Sequence, residues 1–186
     1  MRRTLDTLYS AALVGACLAM IVIAVLVFVQ VVARVVDRAA VLVGAPRFGF
    51  AIPSLAEIGG FLFVASAFLA LPAALRAAGH VRVTLLLRRL SPAGDRVMTA
   101  LVLVVALGLT IFATWAIGVL TFSSFQRASV SYGIIAIPLW IPQAIMTTGM
   151  VIFTVALLDE LLTLLRGGEA AFRTAERTRE ATDGGH

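Results

Sequence analysis

The chain has 186 residues, is 61% hydrophobic with a mean hydropathy of +1.03, and carries a formal net charge of +5. That composition excludes an ordinary soluble domain, which is about 45–50% apolar, and points to a single membrane domain over the whole length. All fifteen basic residues are arginine, and they fall at the ends of apolar windows instead of in one patch, so the positive balance does not indicate nucleic acid.

Four windows contain no Asp, Glu, Lys or Arg: 7–33, 58–75, 97–126 and 128–158. The shortest holds 18 residues, which as a helix covers about 27 Å, close to a ~30 Å hydrocarbon core. The longer windows must tilt, protrude or contain turns. We therefore expect an all-α integral membrane protein of four helices. The expected spans lie at about 8–33, 57–75, 97–121 and 137–160. Residues 1–166 form the membrane domain, and 167–186 form a polar, flexible tail.

Met1-Arg2-Arg3 ahead of an apolar run has the outline of a secretory signal. The run is 27 residues long, well beyond the about 7–15 of a signal core, and no small-x-small cleavage site follows at the right place. It is expected to be a retained first span. Cys17 lies in its middle as the single cysteine, so the chain has no internal disulfide and no Cys/His metal spacing; it reads as a small hydrophobe. Gln30 sits near the far end, placed to bond another helix. Arg34, Asp37 and Arg38 stand at helical neighbour spacing, so the helix continues past the membrane until Gly44-Ala45-Pro46 stops it.

Ser54-Leu55-Ala56-Glu57 precedes the second span with the spacing of a capping box: Ser54 accepts from the Glu57 N–H while the Glu57 carboxylate reaches back. A second reading makes Glu57, an acid at the head of a span, a contact for a partner or an ion. The two are compatible, because a capping carboxylate keeps free lone pairs. The span is rich in small residues (Gly59, Gly60, Ala65, Ser66, Ala67, Ala70, Ala73, Ala74), which let helices approach closely in lipid, and Pro72 is expected to kink its end. From His80 to Leu90 a helical wheel puts Val83, Leu86, Leu87 and Leu90 on one face, flanked by Arg82, Arg88 and Arg89. That pattern suits a short amphipathic helix on the membrane surface, or a docking arm for a partner.

The third span is Val/Leu-rich, with a turn from Phe122 to Tyr132. The fourth opens with Ile137-Pro138-Leu139-Trp140-Ile141-Pro142; proline is tolerated in a first helical turn, and Trp140 and Tyr132 suit an interfacial aromatic belt. Orientation follows from arginine placement. Segments 1–7, 76–96 and the tail from Arg166 hold two, five and four arginines, eleven in all, against four (Arg34, Arg38, Arg47, Arg127) on the other side. The positive-inside rule puts both termini in the cytoplasm.

No catalytic, cofactor-binding or metal-binding set is legible. The only histidines are His80 and His186, no phosphate loop or nucleophile elbow occurs, and no charge lies at the centre of a span. A transporter acting alone would carry an ionisable group there, so the chain reads as neither an enzyme nor a self-sufficient permease. A small four-span exporter would need a mid-membrane acid in span one; a membrane redox or assembly factor would announce itself by a bound cofactor.

The order of these features resembles the DctQ-type small membrane subunit of tripartite ATP-independent periplasmic (TRAP) transporters. The residues that carry the likeness are Arg34 after span one, Glu57 before span two, and the run Ala73-Ala74-Leu75-Arg76-Ala77-Ala78-Gly79-His80-Val81-Arg82-Val83. Ser131-Tyr132-Gly133-Ile134-Ile135-Ala136-Ile137-Pro138-Leu139-Trp140, with Gly149 beyond, completes it. Where the family often has a Trp and paired acids before span two, this chain has Pro53-Ser54-Leu55-Ala56-Glu57. The resemblance implies a bacterial inner-membrane complex without cofactors. In it a large multi-span subunit carries the solute, driven by an ion gradient, usually Na⁺, and a periplasmic binding protein delivers organic acids or similar solutes. The small subunit is the scaffold. On that reading Arg34, Ser54, Glu57, Arg76, His80, Arg82, Arg88, Arg89, Pro138, Trp140 and Gly149 are candidate interface or structural residues.

The orientation is directly testable. Alkaline phosphatase and fluorescent-protein fusions at Gly44, Gly94 and the C-terminus are expected to report outside, inside and inside; a periplasmic signal at Gly94 would overturn the topology.

Overall fold

The computed structural model describes residues 2–77 and 92–167. Its four helices are α1 (Arg2–Leu42), α2 (Leu55–Arg76), α3 (Pro92–Gln126) and α4 (Trp140–Leu165). Each is long and apolar enough to cross a membrane. Among the described residues there is no strand, only one isolated bridge between Val130 and Pro138. The expected all-helical, four-span class is therefore observed. The expected surface helix with His80, Arg82, Arg88 and Arg89, and the tail beyond Gly167, lie outside the described residues.

Length separates the helices. α1, with 41 residues, is about 61 Å long, twice the hydrocarbon thickness, whereas α2, with 22, is about 33 Å and nearly matches it. Part of the excess of α1, nine residues or about 13 Å, lies beyond Ala33, where Arg34, Asp37 and Arg38 follow the uncharged window. α1 ends in a Schellman motif: Gly44, at φ +75°, donates to Val41 O (3.2 Å), and Ala45 donates to Ala40 O (2.9 Å). The left-handed turn is cheap only for glycine, and Pro46 follows as a residue that cannot resume the helix.

The helices pack in the spatial order α1–α2–α4–α3, with α1 reaching α4 at only a few points. α4 is thus central and α1 and α3 are flanks. Accordingly 44% of the α4 span is buried, against 17% for each of α1 and α3. The buried cluster gathers Tyr9 and Ala12 of α1, Leu75 of α2, Leu103 of α3, and Ile152, Ala156, Leu157, Leu161 and Leu164 of α4. All lie toward one end, the end of both termini. The opposite end, with the 43–54 and 127–139 loops, is held instead by hydrogen bonds. The flanks present Val14, Leu18, Ile21, Val25 and Phe28 on α1, and Leu101, Val105, Leu109 and Phe112 on α3, all exposed at helical spacing. In water such faces would be a liability; in lipid they are the expected surface.

Two different contacts lock α4 in place. Against α3, the hydroxyls of Thr114 and Thr154 meet at 3.2 Å, and those of Thr121 and Thr147 at 3.0 Å. Each threonine also lies within reach of its own i−4 carbonyl. A hydroxyl has one proton, so in each pair one member donates across the interface while the other donates within its helix. The seven-residue spacing on both helices repeats the pair two turns along the antiparallel interface. Against α2, Gly149 lies on the Phe68 backbone: a Cβ there would stand 2.8 Å from both Phe68 C and O. The residue four beyond Phe68 is Pro72, which has no N–H to donate to that carbonyl. The close approach thus falls where the α2 ladder already has a gap.

Gly149→Val is therefore expected to lower the thermal stability of the purified chain in detergent, by about 1–3 kcal/mol of overpacking. Gly118→Ala, whose Cβ would meet only Thr147 Cγ2 at 3.9 Å, serves as a neutral control. Equal melting of the two variants would remove the Gly149 contact from the account.

Candidate functional site

At the two-loop end, side chains of α1 receive the chain that leads into α2. Gln30, buried on α1, accepts the Ile52 N–H at 2.8 Å, so the polar residue foreseen as bonding another helix bonds the connector before it. Asp37 accepts from Phe48 N (2.7 Å) and Gly49 N (3.1 and 3.2 Å). Its carboxylate thus holds the loop instead of pairing along the helix with Arg34 or Arg38.

The capping box expected at Ser54 and Glu57 does not form. Ser54 takes a left-handed conformation (φ 54°, ψ 25°) and makes no side-chain cap bond; its backbone carbonyl receives the Glu57 and Ile58 N–H groups at 3.0 Å. Ser54 Oγ accepts the Ile135 N–H at 3.1 Å instead. The left-handed backbone turns the hydroxyl from its own helix toward the α3–α4 loop, which sequence spacing alone does not reveal. Glu57 follows suit: its Oε2 is buried without a hydrogen-bond partner among the described residues, and a Cβ added to Gly133 would fall on it and lie 2.7 Å from Ser54 Oγ. Gly133 is required here by proximity.

The 127–139 loop has its own framework. Ser131 N donates to Ile137 O and Leu139 N to Ser129 O, both at 2.9 Å. Ser131 Oγ, buried, receives the Ile137 N–H at 3.1 Å and donates to Ile135 O at 3.2 Å. Pro138 lies in this bridge, ahead of the helix, and Pro142 is the proline inside the first turn of α4. Trp140 meets Phe125 edge-on at 5.6 Å, closing α3 against α4. Gln143 Oε1, one turn in, is buried without a partner among the described residues.

At the other end, Arg76 pairs with Asp6 and lies 5.3 Å over the ring of the buried Tyr9, tying the end of α2 to the start of α1. Arg96 donates from Nη2 to Leu164 O at 2.7 Å, capping the last turn of α4. Among the described residues no three His, Cys, Asp or Glu side chains converge.

Of the residues singled out from sequence, Ser54 and Glu57 meet at one junction, with Pro138 and Trp140 framing its loop and α4. Arg34 stands apart on the α1 extension, Arg76 is at the opposite end, and Gly149 is at the α2–α4 crossing. Sequence reading missed Gly133, Asp37, Asp6 and Arg96 as positioning residues. Asp6 and Arg76 carried a faint signal: opposite charges flanking adjacent antiparallel spans on the same side. The others acquire roles only through which loop or helix end arrives beside them.

Compared with known families, residues 23–167 match the model described as Tripartite ATP-independent periplasmic transporters, DctQ component. No curated protein and no solved structure matches the chain.

The junction predicts a specific coupling. Gly133→Ala is expected to speed hydrogen exchange at the Ile135 amide, because the new methyl pushes the loop off Ser54. Adding Glu57→Ala to the same chain should restore part of that protection, since two of the three nearest atoms belong to Glu57. Unchanged exchange in Gly133→Ala would show that the loop does not rest on the head of α2.

Proposed function

The chain belongs to the DctQ components of tripartite ATP-independent periplasmic transporters, as their small permease subunit, and we propose that it is a scaffold that moves no solute itself. It is a multi-pass membrane protein, and this reading puts it in the bacterial inner membrane with the two-loop end periplasmic and both termini cytoplasmic. Its partners are a large multi-span permease subunit and a periplasmic solute-binding protein, and uptake of organic acids or similar anions is driven by Na⁺. No enzymatic role is assigned.

One observation carries the scaffold reading: along α3 and α4 six threonine hydroxyls are used up internally. Thr110, Thr114, Thr121, Thr147, Thr148 and Thr154 all bond to carbonyls of their own helices or to one another. A polar path needs such groups turned toward a cavity. What remains on the flanks is apolar surface for lipid or for another membrane subunit. In the complex, Arg34, Ser54, Glu57, Pro138 and Trp140 would serve the periplasmic side, and Arg76, His80, Arg82, Arg88 and Arg89 the cytoplasmic side, with Gly149 holding the α2–α4 crossing.

Reconstitution tests this. Liposomes holding the full-length chain alone, under a sodium gradient with labelled organic acids, are expected to show no uptake above empty vesicles. Adding the co-purifying large subunit and the binding protein should start it. Uptake by the chain alone would end the scaffold reading.

A further inference from the structure

The α1 extension and the loop that folds onto it enclose a groove of about 640 Å³, and three arginines line it: Arg34 and Arg38 from the helix, Arg47 from the loop. None of them has a hydrogen bond or ion pair among the described residues. The one carboxylate in the lining, Asp37, is already engaged by the Phe48 and Gly49 N–H groups. That engagement fixes the residue just before Phe48, which is Arg47, opposite the helix. The clamp thus assembles three like charges around one concavity, and their mutual repulsion is relieved by an anion.

Depth and neighbours identify the anion. Arg34 directly follows Ala33, the last residue of the uncharged window. Arg38 lies one turn further, about 6 Å along the axis, so the two arginines step outward from the end of the hydrocarbon-facing stripe, toward the headgroups. The rest of the lining is apolar: Val31 and Val35 are 51% and 61% exposed, and Leu42 is open as well. Below Val31 the same helix face continues through Val27, Ala24 and Met20, all exposed. We propose that this groove binds an anionic phospholipid of the adjacent leaflet, its phosphate held by Arg34, Arg38 and Arg47 and an acyl chain lying along Val31, Val27, Ala24 and Met20. An acidic protein surface could answer the charge, but it would not answer a groove that begins inside the hydrocarbon-facing stripe. The inference does not depend on the transport role or on which leaflet the two-loop end faces.

The test uses the full-length chain purified from membranes containing phosphatidylglycerol and phosphatidylcholine in equal amounts, with retained lipid identified by native mass spectrometry. The chain is expected to keep phosphatidylglycerol in preference. The triple variant Arg34→Gln/Arg38→Gln/Arg47→Gln should lose roughly tenfold or more of it. Arg127→Gln, which removes a positive charge at the same end outside the groove, should retain it, and helical content by circular dichroism should be unchanged in both. Asp37→Asn, which weakens the clamp on Arg47 without removing an arginine, should also reduce retention. Wild-type retention by the triple variant would overturn the proposal. So would displacement of the lipid by inorganic phosphate, or arginine variants that lose only the recovery of a protein partner while keeping their lipid.

Discussion

Hydrocarbon offers no hydrogen-bond partner, and that constraint organises this molecule. Backbone groups in a span must find their partners within the chain, which the four described helices supply along their own length. The same rule governs side chains. The threonines of α3 and α4 cannot bond to solvent at membrane depth, so they bond to their own carbonyls and across the interface. Their polarity becomes adhesion where apolar surface supplies little, because lipid tails solvate a leucine as well as another helix does.

The unequal burial of the four helices follows from how each meets its neighbours. α4 has two specific partners, a hydroxyl ladder toward α3 and a glycine seat on α2, and is the most buried helix. α1 joins only α2 closely, with the Asp6–Arg76 pair at one end and, at the other, the Gln30–Ile52 bond to the connector that leads into α2. The outcome is an open array with two apolar flanks, a shape fitted to standing beside other membrane components and poorly fitted to enclosing a pathway. Side-chain packing unites the helices near the termini, and loop hydrogen bonding unites them at the opposite end.

The two ends also use charge differently. Near the termini, Arg76 and Arg96 are spent on internal contacts with Asp6 and the Leu164 carbonyl. At the two-loop end, the carboxylates of Asp37 and Glu57 are committed inward while Arg34, Arg38 and Arg47 stay unpaired among the described residues. Acids therefore shape the loops there, and arginines are left for what lies outside the chain.

The sequence by itself determined the class and the number of spans, because four uncharged windows of membrane length admit no other placement in 186 residues. The stop after α1 was equally legible, since Gly44 followed by Pro46 is local backbone chemistry. So was the family likeness, which rests on residue types in order along the chain. Tertiary structure alone decided the α1–α2–α4–α3 arrangement, the seat of Gly149 on Phe68, and the exchange of a helix cap at Ser54 for a bond to the loop. The physical reason is common to these cases. Span membership depends on a residue's own transfer free energy, which can be read one position at a time. The partner of Ser54, Glu57 or Gly149 depends on which distant backbone arrives beside it, and no spacing along the chain encodes that.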